Sequence, residues 1–294
     1  MLNAPKRLIL GDIINVHQKY SITNKVVLFA NVRDEKHIRE WAAHHLLLGF
    51  DNVVIFDHNS KIPLEEVFMG FDRRIKIVNV SLLKNPIKIS LMNFSVSLAK
   101  VLNADWMLYL DADEFLILND KNMNVKQFLD NYNRVHSLGI NWLMFGSNNL
   151  TEDPNDLILE TYTKSDYVLN EHVKSFVRPN EVMQANNPHF FHIKNKFRMV
   201  GLNKTRIAEP YTKNNLNYGF NKVSAYIAHY VTQSEETFRN RKCRPTDDTG
   251  TMKHSIDYDA TQIHKNYNDF NNFYPKNAYA KRVRDFLLQR NCSF

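Results

Sequence analysis

The sequence predicts an α/β protein with a mostly parallel central sheet, flanking helices and a helical carboxyl-terminal extension. Three observations carry that expectation. Strand-like apolar runs alternate with helix-spaced segments from residue 25 to residue 110, the pattern of parallel strands joined by helical crossovers. Two of the runs end abruptly in polar, acidic letters, FDHNS and LDADE, and in such sheets the carboxyl ends of strands line the binding crevice. Helical periodicity then takes over beyond residue 234.

Residues 25–32 (KVVLFANV) form an apolar run between Asn24 and the charged 33–36, and read as a buried strand. Over 35–48, Ile38, Trp41, Ala42, His45, Leu46 and Leu48 fall mostly on one helical face, and Gly49 supplies the stop. A second strand, 52–56 (NVVIF), runs into Asp57-His58-Asn59-Ser60, and Pro63 suits the first turn of a short helix. Clean alternation marks a third strand at 74–80. The spacing of Leu91, Phe94, Leu98 and Val101 predicts a helix over 89–102, which leads into a strand at 106–110. Past Glu114 the alternation weakens. A short helix is expected over 125–132, and strands over 140–145, 157–163, 172–177 and 224–231. The polar, basic stretch 184–221 reads as an acceptor-side or lid loop, and helical patterns at 234–242, 257–270 and 275–289 close the chain.

With 294 residues and 44% hydrophobic content the chain can bury one large core. Glycine, at 8 residues, is too scarce for a Gly-rich phosphate loop to be the main device. The formal charge of +7 and pI near 9.2 suit anionic partners without choosing among them. No Lys/Arg-rich run of the nucleic-acid-tail kind occurs, so nucleic acid is not expected. Cys243 and Cys292 have no ligand spacing, and reduced thiols are the expectation. The opening MLNAPKRLILGDIINV has too short an apolar stretch for a signal peptide, and no segment suits a bilayer span.

Chemistry concentrates in 105–118, DWMLYLDADEFLIL. Asp111, Asp113 and Glu114 place three carboxylates in four positions, which is costly among apolar neighbours unless a cation compensates. Two aspartates one residue apart at a strand's carboxyl end can cradle a divalent metal. An acidic turn between two strands would give the same letters. Asp57, at another strand end, completes a carboxylate set of the kind hard cations share with phosphate oxygens.

These letters resemble the glycosyltransferase family 2-like and family 92 group, which has the GT-A fold, along most of 25–244. The family's K-N-E…E-W…H…L-G resembles VRDEKHIREWAAHHLLLGF, and its Y-D-N-x-S resembles FDHNS. Its D-x-D-E-F is Asp111 to Phe115, and its W-x-x-F-G-S resembles Trp142 to Ser147. Its H-V-K-S-I-V-R-P resembles His172 to Pro179, and its N-H-Y…S…E-x-F resembles AHYVTQSEETF from Ala228. Two departures stand out: Arg33-Asp34 replaces the family's Asn-Glu, and Lys61-Ile62-Pro63 replaces its Asp-Gly.

The resemblance implies that Asp57, Asn59 and Ser60 lie at the nucleoside part of a nucleotide-sugar donor, with Arg33 and Asp34 also among the donor-binding residues. Asp111 and Asp113 would serve the metal and the sugar diphosphate. His229 would complete a manganese shell or bind the diphosphate, against the alternative of a satisfied structural histidine. Lys174 and Arg178, at even spacing in a strand, would share a face and hold a diphosphate or acceptor. Of His189 and His192, at most one is expected in the cleft; His44 and His45 are expected to pack, and Trp142 to belong to the core. Candidates for the catalytic base are Asp247 and Asp248, near the family's R-G-R-A-D, and Glu114, with Glu171 a fourth.

The function expected is therefore metal-dependent, inverting glycosyl transfer from a nucleotide sugar, foremost a UDP-sugar, to a hydroxyl of a glycan or glycoconjugate. The cofactor would be Mn2+ or Mg2+. A GT-A-like domain would span 1–245, its nucleotide-sugar half about 25–120 and its acceptor half about 121–245, with 246–294 as a helical extension. A soluble cytoplasmic enzyme of bacterial or viral origin is expected, with peripheral membrane association open, or else a piece of a longer protein. Another metal-dependent nucleotide enzyme (a nucleotidyltransferase or phosphohydrolase), or a non-catalytic carbohydrate-binding protein on the same fold, are the rival readings.

Overall fold

The computed structural model describes residues 24–209, 211–246, 249–255, 257–290 and 292. Its first half follows the expected alternation: β1 (Val26–Val32), α1 (Ile38–Leu47), β2 (Asn52–Asp57), α2 (Leu64–Val67), β3 (Ile75–Asn79), α3 (Lys88–Val101) and β4 (Trp106–Tyr109). These strands lie in the order β3-β2-β1-β4 and every pairing among them is parallel. Strand β1 shows why its sequence is a continuous apolar run. Val26, Leu28, Ala30 and Val32 face one core, while Val27 and Phe29 face another across the sheet. Asn31 alone in its second half is partly open, and it marks where the site begins.

The second half adds β5 (Glu114–Leu118), α4 (Val125–Asp130), β6 (Ser137–Met144), α5 (Ile158–Thr161), β7 (Lys164–Ser165) and β8 (Val173–Val177). Then come β9 (Val182–Asn187), β10 (Phe190–Ile193), β11 (Met199–Gly201), β12 (Ala225–His229), α6 (Glu235–Lys242), β13 (Phe270–Asn271) and α7 (Lys281–Leu288). The sheet continues β4-β8-β6-β12-β5, with β8 antiparallel to both neighbours. Strand β12 is parallel to β6 and antiparallel to β5, and β11 adds to β6 in parallel. The result is a parallel half joined to a mixed half.

Four expectations need correction. Residues 157–163 form the helical turn α5, not a strand, because the Glu40 carboxylate accepts the N–H groups of Ile158 (2.7 Å) and Leu159 (2.9 Å) and so caps that turn from a distant helix. The stretch 184–221 is not one loop. Strands β9 and β10 pair as a hairpin clamped to α3, where Asn93 exchanges two hydrogen bonds with the Ala185 backbone. Residues 257–270 hold a 3-10 helix, Ala260–Lys265, and the start of β13 rather than one helix. The carboxyl-terminal segment is less an extension than a core layer. Tyr279, Ala280, Val283 and Leu287 join the same buried cluster as β1, and the Tyr279 hydroxyl donates to the Leu118 carbonyl at 2.6 Å.

No helix among the described residues is long and apolar enough to cross a membrane. In the WLMFGS segment, Gly146 is required by close approach: a Cβ there would overlap the Tyr267 carbonyl oxygen and the Asn268 side chain. Gly146→Ala is expected to cost about 1–3 kcal/mol through this overpacking, read as a lowered denaturation midpoint.

Candidate active site

A cavity of about 390 Å³ opens at the carboxyl ends of β1 and β4. Its floor is the acidic turn. After β4 the Leu110 N–H still bonds to Phe29, and the chain then turns, with the Glu114 N–H on the Asp111 carbonyl at 3.0 Å. The turn places Asp111 and Asp113 on the cavity surface. It also folds Glu114 beneath them, where its Oε2 accepts the Asp111 N–H at 2.9 Å.

Both cavity aspartates are already paired with cations. One oxygen of Asp111 takes the Lys88 ammonium and the other lies 3.2 Å from Lys174. Asp113 receives Arg241 at 2.7 Å, His229 at 3.6 Å and Lys242 at 3.9 Å through one oxygen. Burial pushes both carboxyls upward, but Lys174 and Lys88 outweigh it at Asp111, and Arg241 followed by His229 outweigh it at Asp113. Both are therefore held well below the usual carboxylate range. Glu114 goes the other way: burial, only partly offset by Lys174, raises it to about 7.

Over this floor, the end of α6 and the segment after it form a basic roof. Arg241 bonds to Glu35 at 3.2 Å as well as to Asp113, and Arg244 lies 3.6 Å from both Glu35 and Asp34. Arg33 donates to the Pro245 carbonyl, and Thr246 also lines the cavity. The opposite wall is aromatic. Trp142 of β6 has His229 at 4.4 Å and His189 at 5.0 Å between ring centroids. Burial, then Lys174, lowers the His189 pKa to about 4, so this imidazole is neutral at physiological pH.

Thus Arg33, Asp111, Asp113, Lys174 and His229 come together in one cavity. Trp142 lines it too, rather than lying wholly within the core, because its ring closes the wall beside the strand-end histidines. His189 reaches the cavity, whereas His192 turns to Asn186 at 2.8 Å. His44 and His45 pack as expected, bonded to Leu116 and Trp41 backbone.

Other predicted residues lie elsewhere. Asp57 is buried at the end of β2 and spends its oxygens on the N–H groups of Ser60 (3.2 Å) and Leu64 (2.9 Å), capping the start of α2. Asn59 is exposed, and Ser60 accepts the Asp34 N–H at 3.3 Å. This loop, with Asp34, borders a second cavity of about 600 Å³ on the far side of Glu35. Arg178 does share a face with Lys174, but four residues of strand carry it about 13 Å away. There its guanidinium binds the Val135 and Asn133 carbonyls and stacks 4.3 Å from the Trp106 ring. Glu114 is sealed under the floor at 0% exposure, so it has no path to an acceptor hydroxyl. Glu171 pairs with Lys213 on the outer surface. Asp247 and Asp248 lie outside the described residues.

Sequence reading does not find Lys88, Glu35, Arg241, Lys242 or Arg244. Lys88 is a single lysine before a helix and carries no signal. The RNRKCR letters at 239–244 do, yet basic residues in a helix's last turn are ordinary dipole partners. Only the fold reveals that they face aspartates.

Asp111, Asp113 and His229 are the residues expected to hold Mn2+ or Mg2+. Among the described residues no three His, Cys, Asp or Glu groups converge as a metal cage. Both Asp111 oxygens and one Asp113 oxygen are engaged by lysine and arginine, so as arranged a divalent ion would have to displace these cations to gather its donors here.

A parallel half-sheet thus ends in paired aspartates under a basic roof. The model of Glycosyltransferase family 92 matches residues 27–282. The chain belongs to that family. A family 92 protein of Oryza sativa subsp. japonica is 28% identical over 218 residues, covering 71% of this chain and 37% of the relative. One of Ricinus communis is 26% identical over 176 residues, covering 57% and 31%. The chain thus spans about a third of the length of the curated relatives it matches. Among solved structures, Staphylococcus aureus TarS aligns with a TM-score of 0.33 at 17% identity, covering 53% of this chain and 28% of that one. Glucosyl-3-phosphoglycerate synthase from Mycobacterium tuberculosis, solved with Mn2+ and UDP, aligns at 0.31 and 11%, covering 62% and 64%. Superpositions this loose say nothing about the substrate of this chain.

Proposed function

We propose that the protein transfers a sugar, with inversion, from a nucleotide-sugar donor of the UDP type to a hydroxyl of a glycan or glycoconjugate. The observation that carries this reading is the cavity itself, where strand-end aspartates, a neutral imidazole and a cationic roof converge in a family 92 fold. In the reaction the acceptor oxygen bonds to the anomeric carbon while the bond from that carbon to the diphosphate oxygen breaks. The electron pair leaves with the nucleoside diphosphate, whose charge the roof cations stabilise. The hydroxyl proton passes to a carboxylate base. With Glu114 sealed, we assign that role to Asp247 or Asp248, which follow directly on the cavity residue Thr246. Asp113 holds Arg241 and His229 in place, and Lys174 fixes Asp111.

A panel of UDP- and GDP-sugars with glycan acceptors, run with and without Mn2+ and Mg2+, tests the reading. Transfer from a UDP-sugar is expected, and absence of transfer from every nucleotide sugar would sink it. Asp247→Asn or Asp248→Asn, whichever removes the base, is expected to lower kcat by about 10²–10⁴ with the donor KM little changed. Full activity in both variants would move the base elsewhere.

A further inference from the structure

We infer that the donor's diphosphate is held by Arg241 and Lys242 rather than by a divalent ion, so that a nucleoside diphosphate binds the metal-stripped protein. The inference rests on the nucleotide-sugar reading above.

The site's carboxylates leave a metal little to hold. Asp111 faces Lys88 and Lys174. A cation settling on Asp113 would have to compete with Arg241 at 2.7 Å, and would leave that guanidinium buried with Glu35 as its remaining partner. Lys174 cannot turn to a ligand. Its ammonium has three N–H groups, and its neighbours are Asp111 at 3.2 Å, the Pro188 carbonyl at 3.2 Å and Glu114 at 3.5 Å. It is a positioning residue for the floor.

Arg241 and Lys242 differ from it. Arg241 commits Nη2 to Asp113 and Nε to Glu35, while its buried Nη1 has no acceptor among the described residues. A desolvated guanidinium N–H lacking an acceptor is costly, and a phosphate oxygen is the acceptor its planar fork suits. Lys242 lines the same cavity, and its only ion pair among the described residues is the 3.9 Å approach to Asp113. Both residues stand at the end of α6, on the roof directly above the aspartates.

The test is calorimetric titration of UDP into protein dialysed against EDTA, repeated with MnCl2 in the buffer. The dissociation constants are expected to agree within about threefold, and Lys242→Ala to weaken UDP by about tenfold in both buffers. Arg241→Ala strands Asp113 and Glu35 and is a poor sole test, so its melting temperature is measured alongside. Lys242→Ala, on the cavity surface, is expected to melt within about 2 °C of the parent. Binding that appears only with MnCl2, or Lys242→Ala binding UDP like the parent, overturns the inference. No UDP binding in either buffer overturns the donor reading itself and this inference with it.

Discussion

Asp113→Ala is expected to reduce sugar transfer by about 10²–10³-fold and to lower stability at the same time. Asp113 is 3% exposed and gathers Arg241, His229 and Lys242 around one carboxylate. Its removal leaves a buried guanidinium with half its compensation, a change that costs about 3–5 kcal/mol in comparable buried pairs. Asp113→Asn keeps the shape and one acceptor but loses the charge, so it is expected to fold better than the alanine variant while remaining as inactive. Steady-state transfer rates and thermal melts of the two variants check this. Parental turnover in Asp113→Asn would show that the charge is not used.

Glu40 does not line the first cavity, and its loss is expected to act on the fold. At 2% exposure it caps α5 through two backbone N–H groups and ties the first helix to the segment after β6. Glu40→Ala is expected to cost about 2–4 kcal/mol, since two buried donors lose their acceptor. Burial, partly offset by His37, raises its carboxyl from 4.5 to about 7. A raised pKa means that the folded state binds the proton more tightly. The contribution is therefore fully present below pH 4.5 and is lost as pH rises through about 7. Its size across that window is on the order of 3 kcal/mol. Glu40→Gln is expected to flatten this slope in urea titrations at a series of pH values; an unchanged slope would assign it to another group.

The parallel half of the sheet was legible because β1, β2 and β4 are short apolar runs whose ends change character abruptly. Strand β5 was not. EFLIL is buried at every position, so it has no alternation to read. The helical turn α5 was missed for a different reason: its cap comes from Glu40, 118 residues away, and no local pattern can announce that. At the site, Asp111 and Asp113 were visible as a cost in need of a cation. The sequence pointed to a metal, whereas the fold supplies Arg241, Lys88 and Lys174. Asp57 misled because a strand-end aspartate has two uses, and here one oxygen accepts the loop N–H of Ser60 and the other caps α2 at Leu64. Lys174 and Arg178 show a limit of periodicity: it fixes the face a side chain shares, not the distance along the strand.

Tyr274 and Tyr279 both donate to the carbonyl of Leu118, and α7 packs against α1. The end of strand β5, four residues past Glu114 of the acidic turn, is thus secured by residues synthesised more than 150 positions later. A nascent chain halted before α7 would present an unfinished sheet with β5 and α1 uncovered, a surface suited to chaperones rather than to sugars. The sheet is therefore completed late in synthesis, after α7 has cleared the ribosome.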